Sequence, residues 1–249
     1  MKNVAMTRLL LGAGVLGLSL CGTHEAQAHR RDFPFTYDWR QPAKGEWEIE
    51  THSTYEGSDN SSKQELEVEY GITNRLSVAP YIVFERGAGE RLKYHEWKIE
   101  TRYQLGKYKT GRILPGLYLE YAQERDSDGE RGAKEIEGKL ILSRYDKSGG
   151  NLSLNLIAEK VLNAKKGEGI GWEKLYSFGY ARPLDKGRLQ ARGGFEWIHN
   201  LESRQINAGP VLSFAPTKDT WISMGVAFPL NKRSEGNGTQ LRVLAEYEF

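Results

Sequence analysis

From Trp47 to the last residue the chain alternates apolar and polar side chains with period two, in short segments separated by clusters of Gly, Asn, Asp, Ser and Pro. Successive side chains of a β-strand point to opposite faces, whereas helical positions recur every 3.6 residues, so the pattern predicts strands with one apolar face. In the first segment Trp47, Ile49, Thr51, Ser53 and Tyr55 share a face opposite Glu46, Glu48, Glu50, His52, Thr54 and Glu56. The second sets Leu66, Val68 and Tyr70 against Glu65, Glu67 and Glu69, and the third puts Leu76, Val78, Pro80, Ile82 and Phe84 together. The fourth opposes Trp97, Ile99, Thr101, Tyr103 and Leu105 to Glu96, Lys98, Glu100, Arg102 and Gln104. Further segments at 114–124, 134–145, 151–161, 171–182, 188–198, 204–215, 220–230 and 239–249 bring the expected count to about twelve strands.

Alternation alone is neutral between a soluble β-sandwich and a transmembrane barrel, because both carry one polar face. Three features favour the barrel. Polar, Gly-rich connections at 57–62, 86–91, 125–132, 162–170 and 231–238 alternate with tight turns at 71–75, 146–150, 183–187 and 215–219, with 106–111 long for its side. Aromatic residues collect at both ends of the apolar faces. Trp47, Tyr70, Tyr103, Tyr180, Phe214, Tyr247 and Phe249 fall at the end carrying the termini, and Tyr55, Phe84, Trp97, Tyr121, Trp172, Trp197 and Phe228 at the other, as interface girdles do. An even strand count also returns both termini to the periplasmic side. The low mean hydropathy of −0.61 fits such alternation, and no apolar run reaches the roughly 20 residues of a spanning helix. A net charge of +2 gives no reason to expect a nucleic-acid partner.

Lys2 and Arg8 precede the apolar stretch Leu9–Leu20, and Ala26-Gln27-Ala28 follows it, the pattern of a cleavable secretory signal over 1–28. The single cysteine, Cys21, lies in the removed part, and Leu20 stands where a lipidated cysteine wants a small residue. Residues 29–45 read as a periplasmic N-terminal segment before a barrel over 46–249; within it the stretch His29 to Trp39, basic and aromatic without alternation, reads as a loose tail, the alternative being that it folds into the lumen and offers Arg30 and Arg31 to its carboxylates.

The terminal strand, ending in Tyr247 and Phe249, resembles the C-terminal signal by which bacterial outer-membrane barrels are recognised for assembly. The stretches Phe35-Thr36-Tyr37-Asp38-Trp39, Pro42-Ala43-Lys44-Gly45-Glu46-Trp47-Glu48 and Tyr70-Gly71-Ile72-Thr73-Asn74-Arg75-Leu76 look like the opening segment and first periplasmic turn of outer-membrane proteins grouped with phenol-degradation-pathway transporters. The resemblance implies an outer-membrane barrel that passes small solutes and names no substrate.

Twelve strands lie between the eight that close around their own side chains and the sixteen or more that hold an aqueous channel, which predicts a narrow, partly occupied lumen. Its expected lining is Glu48, Glu50, His52, Glu65, Glu67, Glu69, Glu96, Lys98, Glu100, Arg102, Glu135, Glu137, Lys139, Arg188, Arg192, Glu196, Arg242 and Glu246. Folding the first hairpin about a loop at 57–62 brings Glu50 near Glu69 and His52 near Glu67. Like charges so placed repel and need water, cations, protons or basic side chains; relief by cations predicts a weak cation preference.

A lipid hydrolase is the rival reading, for which His199, with Asn200 beside it and Ser203 in the following loop, is the candidate; a structural barrel with a closed lumen is a third. No metal site is expected, there being no closely spaced His pair, and the acidic loop Asp126, Asp128, Glu130 reads as a solvated tip. No cofactor is expected. The expected partners are outer-membrane lipid and lipopolysaccharide, the barrel-assembly machinery and small solutes, for a barrel complete as a monomer.

Overall fold

The computed structural model describes residues 30–125, 131–163, 171–184, 187, 189–234 and 238–249. Twelve strands form one antiparallel barrel: β1 (Trp47–Glu56), β2 (Ser61–Thr73), β3 (Leu76–Arg86), β4 (Lys93–Gln104), β5 (Ile113–Arg125), β6 (Arg131–Tyr145), β7 (Asn151–Val161), β8 (Trp172–Pro183), β9 (Arg192–Asn200), β10 (Ile206–Phe214), β11 (Thr220–Pro229) and β12 (Gln240–Glu248). Each strand pairs with its neighbours in sequence, and β1 also pairs with β12, so the hydrogen-bond cycle closes with no free edge.

The alternation sets which way each side chain points. On β1 Trp47, Thr51 and Tyr55 are exposed while Glu48, Glu50, His52 and Thr54 are buried. The same phase puts Leu66, Ile82, Trp97, Ile99, Leu117, Leu119, Leu152, Leu156, Leu212 and Leu241 outside. Carboxylates buried at the centre with large apolar side chains outside invert a soluble core; such a belt belongs against hydrocarbon. Aromatic pairs edge the belt, with Trp47 and Tyr70 rings 4.4 Å apart at the terminal end and Trp97 and Tyr121 rings 5.6 Å apart at the other.

Turn chemistry fixes the end that carries the termini. In the turn 146–150 the Asp146 carboxylate accepts hydrogen bonds from the Ser148 hydroxyl at 2.6 Å and from the Ser148 and Gly150 amides at 2.8 Å, while Gly149 takes φ +85°. The Ser148 hydroxyl, then the Gly150 amide, hold that carboxyl below its ordinary value. At Gly71 the entering chain lies so close that a Cβ would meet the Ala43 carbonyl oxygen at 1.9 Å, so only glycine lets residues 43–46 bond to this strand.

Boundaries differ from the sequence expectation in two places that matter. The strand expected at 188–198 runs from Arg192 to Asn200, the Leu184 amide bonding the Ala191 carbonyl at 2.8 Å just ahead of it. The first hairpin's loop is the four-residue 57–60 rather than 57–62, so Glu56 pairs with Ser61, Glu50 with Glu67 and His52 with Glu65. The expected facing of Glu50 with Glu69 is thereby shifted two residues along β2, and Glu48 faces Glu69 instead.

Candidate functional site

Residues 31–39 occupy the barrel interior, which corrects the expectation of a loose periplasmic tail. The segment enters at the terminal end, rises to mid-barrel around Phe35 and Tyr37, and returns to that end at Trp39 before β1 begins. An extended strand of chain inside a barrel has no sheet partner, so its backbone groups need side-chain partners. They have them. Glu246 accepts the Arg31 amide at 3.3 Å, Glu196 the Phe35 amide at 3.0 Å, Asn155 the Tyr37 amide at 2.7 Å and Ser143 Oγ the Trp39 amide at 3.0 Å. Trp221, Asn155 and Gln104 donate to the carbonyls of Arg31, Tyr37 and Trp39 at 2.7, 2.9 and 3.0 Å.

Packing completes the fit. Phe33 clusters with Ala181 and Val211, Tyr37 with Tyr118 and Ile141, and Trp39 with Leu114 and Tyr145. Glycines leave room for the segment: a Cβ at Gly179 would meet the Phe33 ring at 2.8 Å, and one at Gly225 would meet Pro34 at 2.8 Å. Interior aromatics that the sequence reading passed over, Tyr81, Tyr118, Tyr145 and Trp221, are all buried. They sit on inward faces that mix Glu and Ser with Ala, Val, Leu, Ile and Gly, and a large ring turned inward there is the sequence signal for an apolar guest inside.

The structure buries Glu48, Glu50, His52, Glu65, Glu67, Glu69, Glu96, Glu100, Arg102, Glu196 and Glu246 in the interior. Lys98, Glu135, Glu137, Lys139 and Arg242, less buried, line an open cavity, and Arg192 reaches Asp32 at 2.5 Å. Arg188 lies outside the described residues, as do Asp126, Asp128 and Glu130. Charges pair in two tiers. Near the terminal end Arg31 donates to Glu50 at 2.9 Å, Arg102 bonds Glu69 and Glu100, and Arg40 bridges Asp38 and, at 3.2 Å, Asp32. Toward the loop end Lys98 lies 3.2 Å from Glu120 and 3.4 Å from Glu96, and Lys63 lies 3.3 Å from Glu96. Lys139 bonds Glu137 at 2.8 Å and stands 3.9 Å over the Tyr118 ring.

The two tiers differ in charge and in filling. Above the inserted segment, toward the loop end, is a cavity of about 430 Å³ with Phe35 and Tyr37 among its walls and a near-balanced set of Arg31, Lys63, Lys98, Lys139 and Arg242 against Glu65, Glu120, Glu135, Glu137, Glu159 and Glu173. Below it the side chains are close-packed and the carboxylates of Glu48, Glu50, Glu67, Glu69, Glu100, Glu196, Glu246 and Glu248 face few bases. The hydrolase candidate His199 sits on the outer face and bonds the Tyr176 hydroxyl at 3.1 Å, while Asn200 Oδ1 caps the amides of Glu202 and Ser203 at 3.0 Å, an arrangement that turns the β9–β10 loop.

No protein-family profile matches the sequence, and a search of characterised proteins finds no sequence match. Solved structures do match the fold. The COG4313 outer membrane channel from Pseudomonas putida F1 superposes with a TM-score of 0.57 at 11% identity, over 87% of this chain and 99% of that one. The NanC porin gives 0.55 at 9%, over 80% and 98%, and the KdgM porin in complex with disordered oligogalacturonate gives 0.53 at 15%, over 81% and 99%. What these share with the present chain is its architecture: it has the fold of the twelve-stranded outer-membrane β-barrels.

Proposed function

We infer that the chain is an outer-membrane channel for small solutes, with a weak preference for cations, whose periplasmic half is closed by its own N-terminal segment. One observation carries the reading: a closed barrel with an apolar exterior holds an open cavity of about 430 Å³ at the loop end, underlain by a tier of carboxylates. Acidic side chains ringing a pore select cations. The structural neighbours named porins and channels support the transport class, and the geometry around His199 lends the hydrolase reading nothing.

Phe35, Tyr37, Tyr81 and Tyr118 supply ring surface at the cavity wall, which would suit small aromatic compounds among the solutes passed. The girdles would contact lipid and lipopolysaccharide, Tyr247 and Phe249 would present the assembly signal, and a hydrogen-bond cycle without an edge suits a monomer. The test is the reversal potential of the folded protein in a planar bilayer under a salt gradient. A sign indicating cation preference supports the reading; anion preference overturns the assignment of the acidic tier.

A further inference from the structure

One imidazole stands among the interior carboxylates. His52 is 4% exposed, and its Nε2 lies 3.1 Å from Glu50 Oε2 and 3.5 Å from Glu67 Oε2. Nitrogen and oxygen ligands at about 2.0–2.2 Å from a tetrahedral zinc ion stand about 3.3–3.5 Å from one another. The imidazole therefore stands at about ligand-pair spacing from each carboxylate, and the three side chains each offer one ligand atom within 4.8 Å of the others.

Two independent observations point to a cation there. Glu50 Oε1 and Glu67 Oε2 are buried without a hydrogen-bond donor, a costly arrangement for anionic oxygens. The nearby guanidiniums do not reach them: Arg31 donates to the other oxygen of Glu50, and Arg102 is engaged by Glu69 and Glu100. The second ring nitrogen of His52 faces Glu65 Oε2 at 3.9 Å, across the strand pair. A carboxylate behind the distal nitrogen is the arrangement that orients metal-bound imidazoles. His52 and Glu65 also line the open cavity, which gives an ion a route in from the loop end past the N-terminal segment.

We propose that Glu50, His52 and Glu67 form a binding site for a first-row divalent cation of the zinc type, with Glu65 as the residue that positions the imidazole. One imidazole with carboxylates suits zinc or manganese; calcium takes six to eight oxygens and gains nothing from a nitrogen ligand. The ion would replace direct repulsion between Glu50 and Glu67, which face each other on β1 and β2, by a shared positive charge.

The test is calorimetric titration of Zn²⁺ into the full chain folded in detergent micelles, with fold verified for each variant by heat-dependent gel mobility. The expected result is about one equivalent of zinc per barrel, weakened at least tenfold by His52→Ala and by Glu67→Gln and roughly 10–100-fold by Glu65→Gln. His95→Ala should bind as the unaltered chain does, because His95 lies elsewhere, 3.6 Å from Glu85. Should His52→Ala not fold, Co²⁺ in the unaltered chain decides: visible ligand-field bands of a low-symmetry N/O site, lost in Glu67→Gln, support the proposal. Absence of zinc binding, binding unchanged in both His52→Ala and Glu67→Gln, or binding lost in His95→Ala alone would overturn it. None of these readouts depends on ion conduction, so transport and metal binding stand or fall separately.

Discussion

The Arg31–Glu50 pair joins the N-terminal segment to the barrel wall, and both side chains are almost wholly buried. Removing one partner of a buried ion pair leaves the other charge without compensation, at a cost of about 3–5 kcal/mol. Arg31→Ala should therefore lower the urea midpoint of the folded barrel or release the segment; an unchanged midpoint with unchanged protease protection of residues 31–39 would contradict the assignment. Gly179 offers a cleaner probe because it carries no charge. A Cβ there meets the Phe33 ring at 2.8 Å, so Gly179→Val should displace the segment and raise single-channel conductance while the barrel stays folded. At this scale the sequence was legible where alternation ruled: the inward placement of Glu48, Glu50 and Glu67 follows from period two. It was silent where contact depends on registry. Four rather than six loop residues decide that Glu50 meets Glu67, and the diagonal approach of His52 to Glu67 has no signature along the chain.

Among the elements, the strands close their cycle without the segment, since β1 pairs with β2 and β12 through backbone bonds alone. Deleting 30–40 should leave a barrel of native heat-modifiable mobility; failure to fold would mean that the segment is a structural core, not a plug. The segment itself was hard to read because 29–45 lacks periodicity, its backbone partners being side chains scattered over β4, β6, β7, β9, β11 and β12. Its traces lie in the wall instead, in the inward-facing rings of Tyr118, Tyr145 and Trp221 and in the small Gly179 and Gly225. The start of β9 was misplaced for a related reason: Gln190 takes φ +48°, a left-handed position that neither Gly nor Asn marks in the sequence.

For the whole molecule, charge separates the two halves of the interior. The open cavity is nearly balanced, whereas the filled half holds Glu48, Glu50, Glu67, Glu69, Glu100, Glu196, Glu246 and Glu248 against Arg31, Arg40, Arg102 and Arg192. Withdrawing the segment takes Arg31 and Arg40 with it, along with Asp32 and Asp38, so the net charge of that half hardly changes, but the wall carboxylates it covered then line an open path. Cation selectivity should thus be weak in the intact chain and strong without the segment, and neutralising Glu67, Glu69 and Glu100 to Gln should lower it in the deletion variant. The most direct measurement is single-channel recording of the intact chain and of the chain lacking 30–40, side by side under one salt gradient. The account predicts small or rare openings with weak cation preference for the first and larger, steady, strongly cation-selective steps for the second. Equal conductance and equal reversal potential in the two would contradict it.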